Sequence, residues 1–141
     1  MFKFNLALIA IAIAQATSVV AQCPTPDLTP PVCETSDASP TVADCQAAIN
    51  KLANAGTRDC YQGNTFGTHC TSLITEGTCK IDACGPFGAR IILGVNCGGY
   101  FQNILNSCQS GGKVGGFLTP AKCNVFSPDS ESPYKLQFSH S

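Results

Sequence analysis

The 141-residue chain has no tryptophan, two histidines and only 12% charged residues, so any catalytic machinery has to be sought among a handful of side chains. No C-x-x-C pair occurs: the closest cysteines are Cys79 and Cys84, and neither histidine stands in a ligand-like cluster, so a zinc centre is not expected. No N-x-Ser/Thr sequon is present, which removes N-glycosylation. Basic runs are also missing. Electrostatic capture of nucleic acid or of an anionic membrane is therefore not expected, whereas neutral partners stay open.

What is present starts with a targeting signal. Lys3, an apolar run over 6–14, and the small residues Val19 and Ala21 ahead of a cleavage point read as a secretory signal over 1–21. After its removal no apolar stretch is long enough to span a bilayer, so stable membrane insertion is not expected. Loss of Lys3 leaves seven Lys and Arg against nine Asp and Glu, a balance of minus two. The mature length suits one domain, released as a free monomer.

All ten cysteines, Cys23, Cys33, Cys45, Cys60, Cys70, Cys79, Cys84, Cys97, Cys108 and Cys123, follow the predicted cut. An even number in an oxidising compartment implies five bridges. At about 2–4 kcal/mol each, these rival the net stability of a domain this size, although such contributions do not simply add. Resistance to proteases and sensitivity to reductant are expected. Spacing alone leaves the connectivity open.

The segment 22–40 carries Pro24, Pro26, Pro30, Pro31 and Pro40 and reads as an extended arm, tied by Cys23 and Cys33 either to each other or to the body. The body is expected over 41–141. Ser39 as a cap, Pro40 in the first turn, and an apolar stripe of Val42, Cys45, Ile49 and Leu52 predict a helix over 41–55, with Gly56 as its stop. A two-residue turn at Glu76 and Gly77 predicts a hairpin pairing 70–75 with 78–83. On that register Cys70, Ile74, Cys79, Ile81 and Ala83 share one face, while Lys80 and Asp82 point to solvent. Ile91, Leu93 and Val95 suggest a third strand.

Asn96 caps a second expected helix whose apolar side is Cys97, Phe101, Ile104, Leu105 and Cys108, ended by Gly111 and Gly112. A strand over 114–119 and a final one alternating through Tyr134, Leu136 and Phe138 complete the pattern. Two helices among about five strands predict an α+β fold: a disulfide-rich two-layer sandwich with both helices on one face of an antiparallel sheet.

The candidate acids, bases and cations are His69, His140, Glu76, Asp82, Arg58 and Arg90. They would furnish a small ribonuclease in kind, but not in arrangement: His140 is penultimate, His69 lies in a glycine-rich loop, and Glu76 is a turn residue. The even cysteine count argues against a free nucleophilic thiol. No enzyme activity, catalytic residue, cofactor or metal is expected. Hydrophobins need adjacent cysteines, and none occur. Surface recognition remains, through Tyr61, Phe66 and Phe87 in glycine-flanked loops.

Gly77, Thr78, Cys79 and Lys80, the helix at 100–108, the G-G-K-V-G-G run at 111–116 and Cys123 together resemble the fungal necrosis-inducing secreted effectors and, more distantly, the killer-toxin-like proteins of smut fungi. The resemblance covers about residues 39–138. It implies a helix-on-sheet fold and a fungal, apoplastic protein acting on a host plant or a competing fungus; taken with the secretory signal and the cysteines, it leads to the expectation of an effector or elicitor that binds a host extracellular protein or receptor and modulates plant defence or cell death. Lack of tryptophan, extra cysteines and the proline-rich arm depart from the pattern. The first alternative is an antifungal killer-type toxin acting on competitor membranes through basic residues, for which only Lys80, Lys113, Arg58 and Arg90 could serve. The second is a ribonuclease-like hydrolase.

Overall fold

The computed structural model describes residues 29–55, 60–92, 96–129 and 131–141. In chain order the elements are β1 (Val32–Cys33), α1 (Val42–Asn54), β2 (Cys70–Glu76), β3 (Cys79–Cys84), β4 (Arg90–Ile91), α2 (Cys97–Cys108), β5 (Gln109–Ser110), β6 (Lys113–Val114), β7 (Gly116–Leu118), β8 (Val125–Phe126) and β9 (Lys135–His140). Five strands form one antiparallel sheet in the order β1-β7-β9-β3-β2. Helix α1 lies over β2 and β3 while α2, beside it, lies over β9, β7 and β1. The fold is the expected disulfide-rich α+β sandwich.

Period explains the burial. On α1 the residues Cys45, Ala48, Ile49 and Leu52 turn inward, and on α2 Cys97, Phe101, Ile104, Leu105 and Cys108 do so. They meet Cys79, Ile81 and Ala83 of β3 and Leu136 and Phe138 of β9. The Phe101 and Phe138 rings pack 5.6 Å apart. Each fully buried Leu, Ile or Phe contributes about 1.5–3 kcal/mol.

The expected cap of α1 moves by two residues. Thr41, in extended conformation, accepts the Asp44 N–H through its hydroxyl at 3.2 Å, and Pro40 precedes it. Ser39 instead accepts the Ser36 N–H at 2.9 Å. The reason lies in tertiary partners: the N–H of Thr41 goes to the Thr78 hydroxyl and that of Val42 to the Gly112 carbonyl, so the helix opens only beyond them. The end of α1 is set at Asn54, with Ala55 donating to Lys51, and Gly56 lies outside the described residues. Asn96 caps α2 as expected, accepting the Gly98 N–H at 3.0 Å.

The hairpin turn is Gly77 and Thr78, one residue later than expected, with Glu76 facing Cys79. Gly77 has φ of +51°, and a Cβ there would sit 2.5 Å from the Asp44 carboxylate, so both backbone and space demand glycine. A bulge between Ser72 and Ile74 then shifts the register, which moves Cys70 opposite Cys84 and onto the face away from the helices. Asp82, on that same outer face, is buried rather than solvated; its carboxylate accepts the Ser139 hydroxyl at 2.5 Å, and Lys80 lies 3.9 Å away.

Arg90–Ile91 leaves the main sheet and pairs with Val125–Phe126 in a two-stranded ribbon. Of the expected third strand, Leu93 and Val95 lie outside the described residues. Gly111 and Gly112 do not stop α2, which ends at Cys108. They form the positive-φ turn, +56° and +75°, of the β5-β6 hairpin. Gly115 and Gly116 serve a different purpose: side chains there would collide with Ser39 and the Glu34 carbonyl, and with the Val32 carbonyl. That clearance lets Val32–Cys33, from the segment expected as an arm, join the sheet as its edge strand. Thr35 fastens the joint, with Glu34 N–H donating to the Gly115 carbonyl at 2.9 Å and Gly115 N–H to the Thr35 hydroxyl at 3.0 Å.

Four bridges lie within the described residues: Cys33–Cys108, Cys45–Cys79, Cys60–Cys97 and Cys70–Cys84. Cys123 is also disulfide-bonded, and Cys23 lies outside the described residues. The first two staple each helix to a different strand, and the last joins β2 to β3.

Candidate recognition surface

The loop over 60–69 is held at both ends by disulfides, Cys60 to the first residue of α2 and Cys70 to the last residue of β3. Between them sits Gln62, fully buried despite its polarity. Its Nε2 donates to the carbonyls of Asn64 at 2.8 Å and Gly85 at 2.9 Å, and its Oε1 accepts the Asn64 N–H and the Thr71 hydroxyl, each at 2.7 Å. Its backbone donates to the Ala89 carbonyl and accepts the Gly88 N–H, each at 2.8 Å. Every polar group of Gln62 is satisfied, so one residue locks the loop to the turn at 85–89.

Further bonds stiffen the loop. Asn64 Nδ2 donates to the Cys70 carbonyl at 3.0 Å, and Asn64 Oδ1 accepts the Phe66 N–H at 2.9 Å. The buried Tyr134 hydroxyl donates to the Cys60 carbonyl. Desolvation, reinforced by Tyr100, raises the Tyr134 phenol far above its ordinary range and keeps it a donor.

On this frame stand the aromatic residues singled out from sequence. Tyr61 is 42% exposed and Phe87 52%, and their rings meet edge-on with centroids 6.5 Å apart. A Cβ on Gly63 would come within 2.7 Å of the Tyr61 ring, so the ring lies close against its own loop. Phe66, 82% exposed, shares the loop but has no ring partner among the described residues. The structure thus brings together Tyr61 and Phe87 and leaves Phe66 apart.

Sequence reading missed a further exposed aromatic, Phe126. Arg90 places its guanidinium 5.3 Å from the centre of the Phe126 ring, the two being opposed across β4 and β8. Ile92 and Phe126 are themselves exposed. Pro128, just beyond β8, comes close to Gly88. Asp129, the next residue, accepts the Ser132 hydroxyl and the Glu131 N–H, and these bonds hold its carboxyl below the usual range. Nothing in the sequence pairs Arg90 with Phe126, because the ribbon that opposes them joins two segments far apart in the chain, Arg90–Ile91 and Val125–Phe126.

The titratable candidates are dispersed. Glu76 pairs with Lys51 at 2.9 Å at one end of β2, whereas His69 lies beyond the other end. A seven-residue strand puts about 20 Å between those ends. His140 faces Cys79 and therefore sits at the Glu76 end. Asp82 is buried with Ser139, Arg90 lies on Phe126, and Arg58 is outside the described residues. Among the described residues no cluster of three or more His, Cys, Asp or Glu could hold a metal ion, and no helix is long and apolar enough to cross a membrane. Of the basic candidates among the described residues, Lys80 lies near Asp82 and Lys113 sits in β6.

No protein-family model, curated protein or solved structure matches the chain.

Proposed function

We propose that this is a secreted fungal effector or elicitor that binds an extracellular host protein and modulates plant defence or cell death. The observation that carries the reading is the rigid display of Tyr61 beside Phe87 on a loop locked by Gln62 and two disulfides. Burial of exposed Tyr, Phe and Arg side chains supplies most of the energy of protein recognition, and rigid anchors lose little entropy on binding. The disulfides call for an oxidising compartment, in keeping with an apoplastic site of action. Enzymatic activity forms no part of this reading.

The test is affinity capture from plant apoplastic fluid, run in parallel with the native protein and a Tyr61→Ser/Phe87→Ser variant. A host protein retained by the first and lost by the second supports the reading. Equal retention by both, or growth inhibition of competitor fungi without any leaf response, contradicts it.

A further inference from the structure

The outward face of the helix layer is unusual in what it lacks. Helix α2 contains no charged residue, and α1 contains two, both committed elsewhere: Asp44 to Thr78 and Lys51 to Glu76. Surface helices ordinarily expose Lys, Glu and Arg. Here Ala43, Ala47, Asn50, Gly99, Asn106 and Ser107 are exposed instead.

Across this face runs a ladder of four amides. Gln46 and Gln102 exchange hydrogen bonds between the helices, Nε2 of Gln46 to Oε1 of Gln102 at 3.0 Å and the reverse at 3.1 Å. Each then donates its second N–H one turn along its own helix, Gln46 to Asn50 Oδ1 at 3.2 Å and Gln102 to Asn106 Oδ1 at 3.0 Å. Inverting all four amides together keeps every bond, so the ladder is defined by its connectivity. Among the described residues the central amides are bonded to each other and to the end amides, while Asn50 and Asn106 are each bonded to the ladder through one atom. That bond polarises the polar atoms each end amide keeps for solvent. The result is an uncharged strip of mutually bonded amides with outward polar groups at both ends.

We infer that this amide ladder is a binding site for an uncharged polysaccharide chain. The absence of free charge disfavours acidic or basic polymers, which would surrender hydration without compensation. Sugar hydroxyls both donate and accept, so they match the outward polar groups of Asn50 and Asn106 and the remaining lone pairs along the ladder. Ala47 and Gly99 leave room for a flat chain to approach, and the mutual bonds of the amides have already removed the rotamer entropy that binding would otherwise cost. Neither Tyr61 nor Phe87 belongs to the ladder, which does not depend on them.

Depletion of the disulfide-intact protein onto insoluble cellulose, chitin and linear β-1,3-glucan tests the inference, with an acidic pectin as comparison. At least one neutral polymer should retain the protein equally at low and high salt. Asn50→Ala/Asn106→Ala and, separately, Ala47→Arg should each weaken retention by about tenfold, the loss of roughly 1.4 kcal/mol. Both alter exposed positions, and unchanged thermal unfolding certifies their folds. Tyr61→Ser/Phe87→Ser should leave retention unaltered. Absence of retention on every neutral polymer, retention abolished by salt, or retention lost only in the Tyr61→Ser/Phe87→Ser variant overturns the assignment.

Discussion

Asp44 and Thr78 join the first turn of α1 to the hairpin between β2 and β3: the carboxylate accepts the Thr78 hydroxyl at 2.6 Å and its N–H at 2.8 Å. The next residue of each segment, Cys45 and Cys79, forms a disulfide. A polar clasp and a covalent one therefore fix the same helix-to-turn contact.

The clasp should make stability acid-sensitive. Bonds from the Thr78 hydroxyl, then its N–H, then Thr41 lower the Asp44 carboxyl from its ordinary value. A carboxyl lowered in the folded state contributes stability that is complete above its unfolded value, near pH 4, and lost as pH falls through the folded one. Asp44→Asn should lower the melting temperature at neutral pH and flatten its decline below about pH 4. A variant whose melting curve tracks the native protein at every pH would refute this role.

Glycine positions should separate into two opposite classes. Gly116, at φ of +148° against the Val32 carbonyl, admits no side chain, so Gly116→Ala should cost on the order of 1–3 kcal/mol. Gly99 lies in α2 with nothing near its missing Cβ, so Gly99→Ala should stabilise by about 1 kcal/mol. Denaturant midpoints of the two variants should move in opposite directions.

Replacing Gln62 with leucine should strand the carbonyls of Asn64 and Gly85 and the Thr71 hydroxyl, costing about 1–3 kcal/mol. Amide hydrogen exchange should accelerate at 62–66 and 85–89 and leave β3 and α2 protected. Uniform acceleration over the whole chain would mean that Gln62 supports the global core rather than the loop.

Peptide mapping without reduction should recover Cys33–Cys108, Cys45–Cys79, Cys60–Cys97 and Cys70–Cys84. Removing the Cys45–Cys79 pair by double alanine substitution should cost about 4 kcal/mol, as expected for the 34 residues it closes.

Helical and strand periods carried most of the fold in the sequence. The inward residues of α2 and the alternation of Tyr134, Leu136 and Phe138 were legible because each burial follows from local geometry alone. What was hidden depends on tertiary partners. Thr41 replaces Ser39 as cap because neighbouring N–H groups are claimed by Thr78 and Gly112. Cys70 changes face because one bulge resets the register. The glycine run at 111–116 reads locally as a helix stop, whereas its second half exists to admit β1. At the candidate surface, exposed Tyr61, Phe66 and Phe87 could be picked from glycine-rich flanks. Gln62, the residue that locks their loop, offers no signal, since an isolated glutamine in a loop is ordinarily solvated.

The recognition role proposed for the Tyr61 and Phe87 pair is tested most directly by measuring the dissociation constant of a captured host protein for the native chain and for Tyr61→Ser/Phe87→Ser, with matched melting temperatures. Loss of two central anchors should weaken binding by about 30-fold or more, the equivalent of at least about 2 kcal/mol. An unchanged dissociation constant would show that this surface is not where the protein meets its partner.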